Sequence, residues 1–265
     1  MKQPLLETKG LSKHFGGLKA VDKVNLKIYP GEILGLLGPN GAGKTVCFNL
    51  ISGTYKPTEG TILFEGIRTD GLPPYRVAAG GIGRTFQIVK PFGSLSVLEN
   101  VLVARGISRY GSFFKIWRGW KTKSELKETM TVLDRVGLTD LAERKASLLP
   151  LGNLRRLEIA RALIVGTKLL LLDESFSGLR HEEIANLETL IKNIRESGVT
   201  ILLIEHNMRV AMGLSDRIVV LDHGKTIAEG DPRSIQENEK VIEAYLGRKR
   251  RGVGVLQEGE TTGAA

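Results

Sequence analysis

The sequence predicts an α/β protein: a mostly parallel sheet core, an N-terminal antiparallel β region, and a helical subdomain inserted between the two halves of the core. Three observations carry that prediction. Short apolar runs at Ile33 to Leu37, Leu169 to Leu172 and Thr200 to Ile204 read as buried strands alternating with polar helical segments. A glycine-rich loop stands between the first of these runs and a helix. From about Ser94 to Leu149 the periodicity is helical, as in LKETMTVLDRVGLTDLAERKASLL, with apolar residues three and four apart.

The elements follow in order. Leu5 to Pro30 alternates in short stretches, and VNLKIYPGE reads as a strand closed by a turn at Pro30-Gly31. The buried strand from Ile33, the glycine loop and a helix beginning near Val46 come next, and GTILFEG at Gly60 to Gly66 continues the early β region. The core resumes at Lys168 with LLLLDE, a polar helix over Glu182 to Ser197, then TILLIEH and RIVVLDHGKTIAEG. The expected organisation is one domain over 5–247, with core segments 5–90 and 160–247 and a helical subdomain at about 94–160. The basic, Gly-rich tail 248–265 is expected to be disordered.

Composition narrows the classes of function. With 265 residues and 42% hydrophobic content the chain can bury a sizeable core. The formal charge of +9 suits nucleic acid, an anionic membrane or a phosphorylated ligand, but Arg248, Lys249, Arg250 and Arg251 put part of it in the tail. Cys47 is the single cysteine, which excludes an internal disulfide framework and fits a reducing compartment. No run approaches the ~18 apolar residues needed to span a bilayer. The chain is therefore expected to be cytoplasmic and to meet a membrane only through a partner.

Gly38-Pro39-Asn40-Gly41-Ala42-Gly43-Lys44-Thr45 is a complete G-x-x-x-x-G-K-[ST] motif between strand and helix. Glycines let the backbone wrap closely around phosphates and turn its N–H groups inward. Lys44 would meet the β- and γ-phosphates, Thr45 would coordinate Mg²⁺, and the helix start at Val46 would add its positive dipole. Downstream, the apolar run ending in Asp173-Glu174 delivers two carboxylates to the carboxyl end of a buried strand, where open α/β sheets bind ligands. Asp173 would hold Mg²⁺ and Glu174 would polarise the water that attacks the γ-phosphorus. Together the two motifs indicate a P-loop nucleoside triphosphatase.

LPLGNLRRLEIARAL at Leu149 to Leu163 closely resembles the signature segment of ABC ATPases, with Gly152, Arg156, Ala160, Arg161, Ala162 and Leu163 in register. The resemblance spans about Leu5 to Gly247 and implies a RecA-like core whose signature loop meets the γ-phosphate on the opposite subunit. It also assigns roles. Phe15 falls where an aromatic stacks on adenine, although the segment alone fits a core aromatic equally well. Gln87 in GRTFQ matches the glutamine that senses Mg²⁺ and the transmembrane partner, and His206 in TILLIEH resembles the switch histidine that contacts the γ-phosphate. RTFQ, RRLEIARAL, LLIEHNM, GLSDRIVVLDHGKTIAEG and VIEAYLG resemble the ATPase subunits of branched-chain amino acid importers.

What the resemblance implies is an ATP- and Mg²⁺-dependent ATPase on the inner face of the cell membrane. It would pair with a second ABC ATPase subunit, identical or related, and drive permease subunits supplied by a solute-binding protein, with no nucleic-acid partner. The expected permease-docking surface is the helical subdomain plus the segment after Gln87, with Pro91, Phe92, Phe113, Phe114, Trp117 and Trp120 as apolar anchors. Alternatives are an ATPase of lipopolysaccharide export and a regulatory module that binds nucleotide with little turnover; a DNA-associated ABC ATPase would need long coiled-coil heptads that this chain lacks.

The chain also departs from the family pattern. Pro150, Leu151 and Asn153 stand where L-S-G-G-Q is commonest, Leu154 is unusual, Ser175 replaces the proline after the glutamate, and Arg180-His181 alters a stretch that crosses the dimer interface. The signature face offered to a partner is thus expected to be weakened, which favours a mixed pair of subunits.

Overall fold

The computed structural model describes residues 3–86, 89–107 and 122–245. Two sheets organise it. β1 (Leu6–Phe15), β2 (Leu18–Ile28), β4 (Glu59–Phe64) and β5 (Ile67–Arg68) form an antiparallel sheet in the order β2-β1-β4-β5. The second sheet has six strands: β3 (Ile33–Leu37), β6 (Ile82–Arg84), β7 (Leu169–Asp173), β8 (Thr200–Ile204), β9 (Arg217–Asp222) and β10 (Lys225–Gly230). Its order is β10-β9-β3-β8-β7-β6, and all neighbours are parallel except β9 and β10. Those two turn back at His223-Gly224, so RIVVLDHGKTIAEG is an antiparallel edge hairpin and not a further strand of the alternating pattern.

The central strands carry continuous apolar runs because both of their faces are covered. Leu170, Leu172, Ile201 and Leu203 pack toward α3 (Val97–Ile107), α5 (Leu151–Leu163) and α6 (His181–Glu196). Leu169, Leu171, Leu202 and Ile204 face the other way, onto α1 (Lys44–Ile51) and the inner side of the antiparallel sheet. α1 sits between the two sheets, burying Cys47, Phe48, Leu50 and Ile51. α2 (Pro74–Ala79) leads into β6.

α4 (Lys123–Arg135) begins on a capping box, with the Thr122 hydroxyl accepting from the Glu125 N–H and the Glu125 carboxylate accepting from the Thr122 N–H. It presents Val132 and Leu133 to α3 and α5. α5 runs unbroken through residue 160 and touches β6 and α6 as well as α3 and α4. The chain closes with α7 (Met208–Leu214), α8 (Pro232–Gln236) and a helical segment at 239–245. Among the described residues no helix is long and apolar enough to cross a membrane.

Phe113, Phe114, Trp117, Trp120, Gln87 and the tail 248–265 lie outside the described residues. Pro91 is half-buried and Phe92 is exposed, with the Arg161 guanidinium 5.2 Å from its ring centroid.

Candidate functional site

Four parallel neighbours, β3, β8, β7 and β6, end on the same edge of the sheet. The glycine loop follows β3, His206 follows β8, Asp173 and Glu174 close β7, and Gln87 comes three residues after the end of β6. Topology alone therefore gathers segments separated by more than a hundred residues at the carboxyl edge, where α/β sheets bind ligands.

The loop fits an anion closely. Gly38 has φ 145°, and a Cβ on it would lie 2.1 Å from the Leu221 carbonyl; Gly43 has φ 104°, and its Cβ would lie 2.5 Å from the Ala20 carbonyl. Backbone on both sides thus demands glycine. α1 starts with no side-chain cap, and a helix start of this kind favours an anion. Buried Lys44 folds into the loop and donates to the Gly38 carbonyl at 2.7 Å and the Pro39 carbonyl at 3.0 Å. The next residue, Thr45, is exposed on the first turn, while Val46 packs partly against the core and Ala42 is buried. Asn40 and Gly41 form the exposed tip.

Buried Asp173 takes a hydrogen bond from Arg84 Nη2 at 2.9 Å. Burial pushes its carboxyl above the usual range, and Arg84 draws it part of the way back. Nη1 of the same guanidinium donates to Asn49 Oδ1 at 2.6 Å and Ser52 Oγ at 3.0 Å on α1. Arg84 therefore ties β6, β7 and α1 together beneath the loop. Thr85 adds to the link, accepting from the Asp173 N–H at 3.3 Å and lying 3.2 Å from Ser175 Oγ.

Glu174 adopts φ 50°, a strained conformation for a non-glycine residue, and its Oε1 lies 2.7 Å from His206 Nε2. A carboxylate only accepts, so this pair fixes Nε2 as the protonated nitrogen. Beside it, buried Glu205 accepts from the Phe176 N–H at 3.1 Å, and burial raises its carboxyl to about 7. Arg155 and Glu158 of α5 form a second buried pair. Arg155 donates to the Phe86 carbonyl at 3.1 Å and to Glu158 at 3.4 Å, while the Phe86 N–H donates to Glu158, whose carboxyl burial raises to about 7. The residue before Gln87 is thereby clamped to the signature helix.

Two predicted residues stand apart from this cluster. Phe15 is 44% exposed at the β1–β2 hairpin, edge-on to Tyr55 with Lys13 Nζ 5.2 Å from its centroid. It is therefore not a core aromatic, and the exposed ring is free to stack. Gly152 opens α5, whose N-cap Pro150 supplies no capping side chain; a Cβ on it would lie 2.8 Å from Glu183 Oε1. Arg84, Glu158, Glu205 and Tyr245, whose hydroxyl takes the Gly38 N–H at 2.8 Å, escaped the sequence reading. Their signals in the sequence are charges next to apolar runs and, for Tyr245, its place in VIEAYLG.

A phosphate loop, carboxylates at the end of a neighbouring strand and a histidine beside them, all on one sheet edge, define a P-loop nucleoside triphosphatase. Comparison narrows the class. The profile described as ABC transporter matches residues 21–177, and that described as branched-chain amino acid ATP-binding cassette transporter matches 225–250. The chain is 46% identical over 93% of its length to the high-affinity branched-chain amino acid transport ATP-binding protein LivG of Escherichia coli K12, covering 99% of that protein. It is 42% identical to BraF of Pseudomonas aeruginosa, with the same coverage. Among solved structures, an ABC transporter cassette in its ADP conformation superposes with TM-score 0.84 at 29% identity, covering 93% of this chain and all of that one. A dimeric cassette bound to ADP and phosphate gives 0.72 at 28% identity, covering 86% and 99%.

The chain belongs to the ABC transporter family of nucleotide-binding subunits, ATPases that energise transport.

Proposed function

We propose that this chain hydrolyses ATP to drive import of branched-chain amino acids through permease subunits on the inner face of the membrane, acting in a pair of ATPase subunits. The substrate reading rests on the names of the relatives and on the match of 225–250 to the branched-chain cassette profile. The catalytic reading rests on one observation above all: the loop that leads to Lys44 follows β3, and the paired His206 and Glu174 follow β8 and β7, three consecutive parallel strands of one sheet.

In this reading the loop 38–46 binds the β- and γ-phosphates, with Lys44 exchanging its loop carbonyls for phosphate oxygens, and Phe15 stacks on adenine. Thr45, Asp173 and Gln87 would hold Mg²⁺, a set that fits a cation taking few protein oxygens beside those of substrate phosphates. When bound, the ion neutralises charge developing on the transferred phosphoryl group. Glu174 orients the water whose oxygen bonds to the γ-phosphorus as the bond to the ADP oxygen breaks. His206 holds Glu174 in place through its Nε2–H. The first turn of the partner's signature helix, the counterpart of Gly152, closes over the γ-phosphate. Phe86 and Phe92, both exposed, offer apolar anchors to the permease.

Glu174→Gln tests this. It keeps the shape but removes the charge, so the partnered complex should bind ATP as before and lose at least about a hundredfold in hydrolysis rate. An unchanged rate would sink the catalytic assignment of Glu174.

A further inference from the structure

Gly38 is the first residue beyond the end of the β3 ladder, whose last pair is Leu37 with Val220. Its N–H therefore has no strand partner, and the Tyr245 hydroxyl accepts it at 2.8 Å across 207 residues of sequence. Its carbonyl meanwhile accepts from Lys44 at 2.7 Å. One peptide group on each side of Gly38 is thus engaged, the first by the C-terminal segment and the second by the lysine of the loop.

The segment that brings Tyr245 here is anchored. Ile235 and Val241 are buried in a small cluster with Leu37, Ala211, Ile218 and Val220, and Tyr245 packs against it. This cluster lies on the β3 and β9 side of the sheet, beside the Leu221 carbonyl that crowds Gly38. Burial also pushes the phenol above its usual range. The two family matches, 21–177 with the loop and 225–250 with Tyr245, meet at this hydrogen bond.

We propose that Tyr245 is a positioning residue of the phosphate loop, and that its bond to Gly38 couples docking of the segment 239–245 to nucleotide binding. This rests on the reading of 38–45 as the nucleotide loop. The hydroxyl fixes the start of the loop before ligand arrives, so less ordering remains when phosphate binds. By linkage, nucleotide tightens the docking of 239–245 by the same factor.

Tyr245→Phe removes only the acceptor oxygen. In the full chain we expect the Kd for ADP with Mg²⁺ to rise about tenfold, equivalent to about 1.4 kcal/mol, with the melting temperature within a few degrees of the parent. Amide exchange of peptides containing Gly38 should speed up without nucleotide. Adding nucleotide should slow exchange in 239–245 of the parent but not of the variant. Lys44→Ala separates the two readings: it should abolish nucleotide binding while leaving the tyrosine-dependent protection of Gly38 intact. Nucleotide binding that survives Lys44→Ala would overturn the loop assignment. Unchanged affinity and unchanged Gly38 exchange in Tyr245→Phe would overturn the role of Tyr245 alone.

Discussion

α1 and α5 both begin at glycine-bearing turns with no side-chain cap, yet they are built differently. Around α1 the neighbours are backbone: the Leu221 and Ala20 carbonyls crowd Gly38 and Gly43, and Lys44 closes the loop from within. At α5 the neighbour of Gly152 is the Glu183 carboxylate, itself occupied in accepting from the Arg180 N–H at 2.9 Å, and Leu151 is left partly exposed. The first is walled by backbone of its own chain. The second has the Glu183 carboxylate beside a helix start that attracts anions, and in the proposed function it acts only against another subunit. Whether Leu151 and the nearby acid weaken the signature face, as the sequence leads one to expect, is what the Gly152 variant below probes.

The largest test of this contrast is Gly38→Ala, which forces a Cβ into a carbonyl at a φ that L-residues avoid. We expect a loss of at least about 3 kcal/mol in unfolding free energy and no measurable nucleotide binding. Next is Arg84→Ala, which strands Asp173 in the interior and frees Asn49 and Ser52; chemical denaturation should show about 3 kcal/mol of destabilisation.

Glu158→Gln is smaller and is read through pH. The folded-state pKa of Glu158, about 7, lies above the ordinary 4.5, so the folded protein keeps a proton that the unfolded chain releases between those values. That stability is complete below the unfolded value and fades as pH rises through about 7. The variant should therefore show a flatter fall in stability between about pH 5 and about pH 8, the remaining slope coming in part from Glu205. The smallest effect on folding belongs to Gly152→Ala, because the obstructing atom is the end of a flexible side chain. Stability and ADP binding should stay within about 0.5 kcal/mol of the parent, while hydrolysis by the paired complex falls. A Gly152→Ala variant as damaged as Gly38→Ala would erase the contrast.

The site was legible where its chemistry is contiguous. Gly38 to Thr45 announces itself because strand, loop and helix N-terminus occupy one short stretch, and the apolar run before Asp173 and Glu174 marks a buried strand by composition alone. Phe15 stayed ambiguous, since exposure at a hairpin is not written in its neighbours. Arg84 was passed over inside GRTFQ because an arginine after an apolar strand shows no partner until Asp173 and Asn49 are brought to it. The reversal at β10 is not legible in the strand pattern, because the period of a strand is the same in either direction.

Sequence by itself determined the class of fold, the glycine loop between strand and helix and the two carboxylates at a strand end, because each depends on local spacing and on the alternation of polar and apolar residues. Tertiary structure alone decided that Glu174 meets His206, that Arg84 neutralises Asp173, that Glu183 sits beside Gly152 and that Tyr245 reaches Gly38. Those contacts join residues far apart in the chain. They exist only because the parallel order β3-β8-β7-β6 brings strand ends to one edge and the C-terminal segment docks beside β9, which no local pattern encodes.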